Sequence, residues 1–189
     1  MASLSKKDKT GVLIIAVCVF ILSGLVIITS ILKSNKVELD KNTLCPTKEP
    51  PRGHTVILVD RTDPLAQNQT KWLSELVKKI KISLSVHEKL SIIPITKESG
   101  KFINPIFTLC SLRQGDNANS IYENPRRLRM KFDLHFGRPL DKVLDNLRKG
   151  EIYDESPIME TIKRLTEDKS FSSIEENKKI IIISDMLQN

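Results

Sequence analysis

The chain has 189 residues, 30 of them Lys or Arg and 23 Asp or Glu, for a formal net charge of +7, which is room for one domain and little more. Its basic residues are spread in pairs such as Lys78-Lys79 and Lys178-Lys179, and the one tight cluster, residues 126–131, has no interleaved exposed aromatics. That pattern reads as a solvated helix face and argues against a nucleic-acid binder.

Residues 1–10 form a short basic tail, and residues 11–32 follow with no charge at all. At 1.5 Å per residue those 22 residues span roughly 30 Å, the hydrocarbon thickness of a bilayer. The apolar region of a cleavable signal peptide is shorter, about 7–15 residues, so the segment reads as a retained, single-pass transmembrane helix. Lys6, Lys7 and Lys9 precede it and Lys33, Lys36 and Lys41 follow it, nearly a tie by the positive-inside rule. The tighter front cluster favours an inside tail and an extracytoplasmic domain. Residues 33–53 are polar and carry three prolines and a glycine, which suits a semi-extended tether. The soluble domain is then expected over residues 54–189.

Within it, residues 55–60 are a short, fully apolar run ending in Asp60, as expected of a central parallel strand buried on both faces. A helix follows, with Leu65, Trp72, Leu73, Leu76, Val77 and Ile80 at helical spacing and Trp72 expected in the core. Residues 89–96 and 105–110 are two further strands, and their short Ser-Gly link favours an antiparallel hairpin. After a Gly/Asn-rich loop, Pro125 signals a helix start. Residues 128–136 alternate like a strand, yet Leu128, Phe132 and Phe136 also share a helical face; the Pro125 start tilts the reading to a helix bent near residues 137–139. Residues 155–168 form another helix, with Ser156 as its cap and Pro157 at its first position. The last apolar run, from residue 178, ends in Asp185. The order β-α-β-β-α-α-β implies an α/β layered domain with a mostly parallel sheet.

Other chemistries lack their residues. No Gly-rich loop precedes a Lys-Ser/Thr pair, and His54, His87 and His135 are isolated, without the spacing of a zinc site and read as surface or capping residues. Cys18 lies in the membrane segment, and Cys110 reads as a buried structural thiol. Whether Cys45 and Cys110 pair depends on a distance that spacing does not reveal.

In folds of this class ligands bind beyond the carboxyl ends of the strands. If the first and last strands are neighbours, Asp60 and Asp185 face one crevice with Thr62, Asp63 and Ser156. Two close carboxylates repel unless a cation or a hydrogen-bonded network compensates, and hard oxygen donors suit Mg²⁺ better than zinc.

The stretch "ILVDRTDP", "ESPIMETI" and "IIIISDM" together resemble the von Willebrand factor A-type (vWA) fold and its metal-ion-dependent adhesion site. Residue by residue, Asp60 matches the first acid, Thr62 the first hydroxyl, Ser156 the later loop hydroxyl and Asp185 the last acid, with Asp63 as an additional candidate. The resemblance covers about residues 54–189 and implies Mg²⁺ bound by hydroxyls, with acids acting mainly through water and an acidic residue of a partner completing the shell. Pro64 stands where the pattern has its second hydroxyl, and Met186 where it commonly has Gly. A complete domain of that family continues past the fourth strand, so residues 54–189 would be short of one, with an exposed edge strand.

The implied function is a membrane-anchored interaction module that binds a protein partner or a further copy of itself, and not a catalyst. A second reading takes Asp60 as the nucleophile of a haloacid-dehalogenase-like phosphotransferase, with Asp185 holding the metal. That pattern places its general acid two residues on, where this chain has Thr62.

Overall fold

The computed structural model describes residues 6–34, 37–60, 67–116, 118, 123–149, 157–173 and 177–184. The chain divides into two compact units, residues 1–38 and 39–189.

The first unit is a single helix, α1 (Lys6–Ser34). Its stretch Leu13–Ser30 is long and apolar enough to cross a membrane, and none of that stretch is buried. Two of its hydroxyls are satisfied within the helix: Ser23 Oγ donates to Phe20 O at 2.8 Å and Thr29 Oγ1 to Val26 O at 2.9 Å. Closing polar groups on the helix backbone is what an apolar surrounding demands.

The second unit begins at Leu39, fifteen residues ahead of the expected start at His54, so most of the expected tether is folded. Asp40 makes the difference. Its Oδ1 accepts from Thr43 N at 2.7 Å, Thr43 Oγ1 at 2.9 Å and Asn42 N at 3.0 Å, an Asx-type turn. The backbone N–H of Thr43, the largest contribution, with the other two donors, holds its carboxyl below the usual carboxylate range. Leu44 takes a left-handed conformation (φ 59°), Leu39 bridges to Pro46, and Leu39 and Leu44 pack against the core.

The sheet has the order β3-β2-β1-β4. β1 (His54–Asp60) is buried at every position and pairs in parallel with β2 (Lys89–Ile95) and with β4 (Lys178–Ile183), Ile57 lying opposite both Ile92 and Ile181. Buried on both faces, β1 has no use for polar alternation, which is why it reads as a continuous apolar run. β3 (Phe107–Cys110) pairs antiparallel to β2, with Ile92 opposite Phe107, as the short link predicts. Among the described residues no further strand pairs with the outer side of β4.

One face of the sheet, carrying Ile57, Val59 and Ile92, packs against α2 (Gln67–Ser83) and against the long helical segment that follows β3. The other face, carrying Val56, Leu58, Ile93 and Ile95, packs against Ile158 and Leu165 of α5 (Ile158–Glu167) and Phe171 of α6 (Lys169–Ser172). In α2 the buried row is Leu73, Val77 and Ile80. Trp72, expected in the core, is 53% exposed; one residue from Leu73 is about 100° of rotation, enough to carry it off the buried stripe.

The ambiguous region after Pro125 is helical throughout: α3 (Pro125–Phe132), a π-helical turn Asp133–Gly137, and α4 (Arg138–Lys149). Asn124 caps it by accepting from Arg127 N at 3.1 Å, with Pro125 at the start. The π turn falls just ahead of Pro139, which cannot donate to an earlier carbonyl, close to where a bend is expected. It lets Phe136 stack on Phe132 (5.2 Å) and meet Phe107 edge-on (5.7 Å). A Cβ on Gly137 would come within 2.7 Å of Lys81 Nζ, so the end of that lysine side chain would have to shift. In α5, Pro157 occupies the capping position and not the first helical one, and no side chain caps it. Ser156 lies outside the described residues.

Candidate functional site

The last paired residues of β1 and β4 are Val59 and Ile183, which sets Asp60 and Ser184 side by side at the carboxyl ends of two parallel strands. The condition posed by the sequence, that the two acid-ended strands be neighbours, is met. Asp60 is 5% exposed. Ser184 Oγ donates to its Oδ2 at 2.7 Å, a contact between residues 124 apart in sequence. A hydroxyl donor to a carboxylate is among the stronger hydrogen bonds, and here it fixes how the acid sits at the strand end.

The neighbouring wall is the loop after β2, where Thr96 N donates to Ser99 Oγ at 2.8 Å and Ser99 N donates to Thr96 O at 2.9 Å. A Cβ on Gly100 would lie 3.1 Å from Glu160 Cβ, so this loop rests on the first turn of α5. The carboxyl end of the sheet therefore brings together Asp60, Ser184, the 96–101 loop and the start of α5.

Of the candidate metal residues, Asp60 is placed. Thr62, Asp63, Ser156 and Asp185 lie outside the described residues, as do Pro64 and Met186. Among the described residues no group of three His, Cys, Asp or Glu side chains could hold a metal ion. The placed donors, a carboxylate and a hydroxyl, are hard oxygens of the kind Mg²⁺ takes. Two grooves formed by described residues lie elsewhere: one lined by Lys78, Lys81, Asp141 and Asp145 of α2 and α4, the other by Arg52, Ser85, Arg113 and Gln114.

The opposite end of the sheet holds a buried polar cluster that the sequence reading missed. His54, expected at the surface, is 2% exposed. Its Nε2 pairs with Ser91 Oγ at 2.8 Å, and Ser91 Oγ with Thr108 Oγ1 at 3.2 Å. Its ring lies 5.4 Å from that of Phe171, and Nδ1 has no hydrogen-bond partner among the described residues. Burial, helped by the nearby Lys89 ammonium, lowers the His54 pKa to about 4, against smaller opposing effects of the Ser170 backbone and Asp168. On the other face Thr55 Oγ1 donates to Glu88 Oε1 at 2.8 Å, while Glu88 Oε2 accepts from Ser85 N at 2.9 Å. Both clusters tie strand starts to neighbouring elements. The available signal was position: His54 is the first residue of an apolar strand, already on the face that packs against α6.

Cys45 and Cys110 form a disulfide with Cα atoms 4.8 Å apart, and Cys110 N donates to Thr43 O at 2.8 Å. The strap 39–46 is thus fastened to the outer edge of β3. The pairing that the sequence left open is made, and Cys110 is buried as a bridged cysteine.

Compared with known proteins, the chain matches no family model, no curated protein and no solved structure.

Proposed function

We propose that the chain is a membrane-anchored protein-interaction module with a vWA-like domain, and that it engages its partner at the carboxyl end of β1 and β4 with Mg²⁺ in the site. The observation that carries this reading is Asp60, a nearly buried acid at the end of the central strand, set beside the end of β4 by Ser184. The parallel pairing of β1 with β4 and the antiparallel hairpin partner β3 agree with the arrangement that the resemblance implies. Asp60 with the hydroxyls and acids of Thr62, Ser156 and Asp185 would hold the ion, and an acidic side chain of the partner would complete its shell. α1 supplies the anchor. The Cys45–Cys110 disulfide supports an oxidising, extracytoplasmic location for residues 39–189, since such bonds persist outside reducing compartments.

Co-purification of the full chain from detergent-solubilised membranes, with and without EDTA, tests the proposal. The partner is retained in Mg²⁺ and lost in EDTA. Asp60→Asn, which keeps an acceptor for Ser184 but removes the charge, weakens partner binding about tenfold or more, some 1.4 kcal/mol, with an unchanged melting temperature; Asp185→Ala acts in the same direction. Partner retention that neither EDTA nor either substitution alters removes the cation from the proposal.

A further inference from the structure

We propose that the outward face of α3 and of the π turn after it, built from Arg126, Arg127, Met130, Lys131 and Leu134, docks on an anionic phospholipid surface. Such docking needs α1 as a membrane anchor and is independent of the cation site.

By sequence this stretch reads as a solvated helix face, and the structure adds an apolar stripe to it. The core-facing row is Leu128, Phe132 and Phe136, with both phenylalanines buried and Leu128 half-buried. Met130 and Leu134 stand two residues to either side of Phe132. Two residues are about 200° of helical rotation, so both lie on the side away from the core. They are 60% and 51% exposed. Single apolar residues scattered on a surface are ordinary, but these two are neighbours one turn apart on the same outward line.

Cations surround that line. Residues 126–131 contain Arg126, Arg127, Arg129 and Lys131 and no acid. Two nearby pairs are self-compensated: Arg129 Nη2 lies 3.0 Å from Asp116 Oδ1, and Arg138 Nε lies 3.1 Å from Asp133 Oδ2. Arg126, Arg127 and Lys131 are exposed and, among the described residues, belong to no ion pair. The face therefore offers three uncompensated cations around two apolar side chains.

That composition suits a helix lying in a membrane interface. The apolar row enters the headgroup boundary, and the cations meet the charge of anionic lipids. A stable protein interface asks for a packed core that excludes water, and two side chains on a convex helix give little of one. A fluid headgroup layer demands no such match of shape. A membrane-length helix in the same chain keeps a bilayer at hand, and the resulting effective concentration favours even weak docking.

The test uses the full chain in nanodiscs. Trp72, the chain's one tryptophan, is removed by Trp72→Phe, and Met130→Trp puts a single indole on the face. In discs of phosphatidylcholine with phosphatidylserine, the indole emission shifts to the blue and brominated lipid quenches it. In discs of phosphatidylcholine alone neither happens, and high salt reverses the shift. Arg126→Gln with Arg127→Gln lowers the docked-to-free ratio about 25-fold, at roughly fivefold per cation near an anionic surface. Lys78→Gln with Lys79→Gln, the same loss of charge on α2, leaves that ratio unchanged. All the substituted side chains are exposed, so melting temperatures stay where they were.

An indole that stays in water in the anionic discs overturns the proposal. So does a shift of equal size in neutral discs, or one that survives the arginine substitutions. A shift that soluble polyglutamate produces and anionic lipid does not overturns it too, and assigns the face to an acidic protein partner.

Discussion

Reducing the Cys45–Cys110 disulfide lowers the stability of the folded unit by about 4 kcal/mol, the chain-entropy value for a loop of this length. The bond joins residues 65 apart, so breaking it returns a long closed loop to the unfolded ensemble. Set against a total stability of about 5–15 kcal/mol for a typical domain, this is a large fraction. The folded state loses order as well. Leu39 and Leu44 lie against the core, Leu44 holds a left-handed backbone, and Thr43 O covers the Cys110 N–H at the edge of β3. Without the bond, the strap is left to noncovalent ties such as its turn, the two leucines and the Thr43–Cys110 backbone hydrogen bond. Chemical denaturation of the full chain in detergent, with and without dithiothreitol, measures the effect. A Cys45→Ser, Cys110→Ser double variant should match the reduced protein. Midpoints that coincide with and without reductant would show that the strap holds its place unaided.

Acidification gives the second large effect, and its sign follows from His54. The ring has a pKa of about 4 in the folded chain and about 6.5 when unfolded. Between those values the unfolded chain binds the extra proton, so stability rises with pH there. The contribution is fully present above about pH 6.5, falls by up to about 1.4 kcal/mol per pH unit as pH drops toward 4, and is exhausted below it, on the order of 3 kcal/mol in all. Lys89 of β2 disfavours the charged ring, and Asp168, which caps α6, opposes it. The pKa of His87 is also lowered, by burial and then by Arg52, which adds a smaller slope of the same sign. Asp40 and Asp168, held below the ordinary carboxylate range by hydrogen bonds, lose their contributions only at lower pH. Denaturation midpoints from pH 7.5 to 4 should therefore fall, and His54→Gln should flatten most of that fall. A His54→Gln profile as steep as the wild type would place the proton elsewhere.

These effects also mark the limit of reading the chain alone. Elements whose cause is local were legible. The uncharged run in α1 needs only its own composition. β1 and β4 declare themselves as continuous apolar strands, and the short link after β2 dictates an antiparallel partner. Asn124 and Pro125 decide between strand and helix for the residues that follow, because a cap acts within one turn.

What sequence spacing did not contain is anything set by contact between distant residues. Trp72 and Leu73 differ by one step of helical rotation, and only the position of the sheet says which of them is buried. His54 looks like any isolated histidine until Ser91 and Phe171 close over it. Cys45 reads as tether because its partner, Cys110, lies on another element. At the candidate site the sequence identified Asp60 from an acid at the end of an apolar run. It did not identify Ser184, which matters only because β4 lies beside β1 in a register that brings two residues 124 positions apart within 2.7 Å. The chain by itself determined an α/β domain preceded by a membrane-length helix, since hydrophobic period and length are local properties. The tertiary structure decided where that domain begins, which polar groups it buries and which hydroxyl meets Asp60, since each depends on strand order and register.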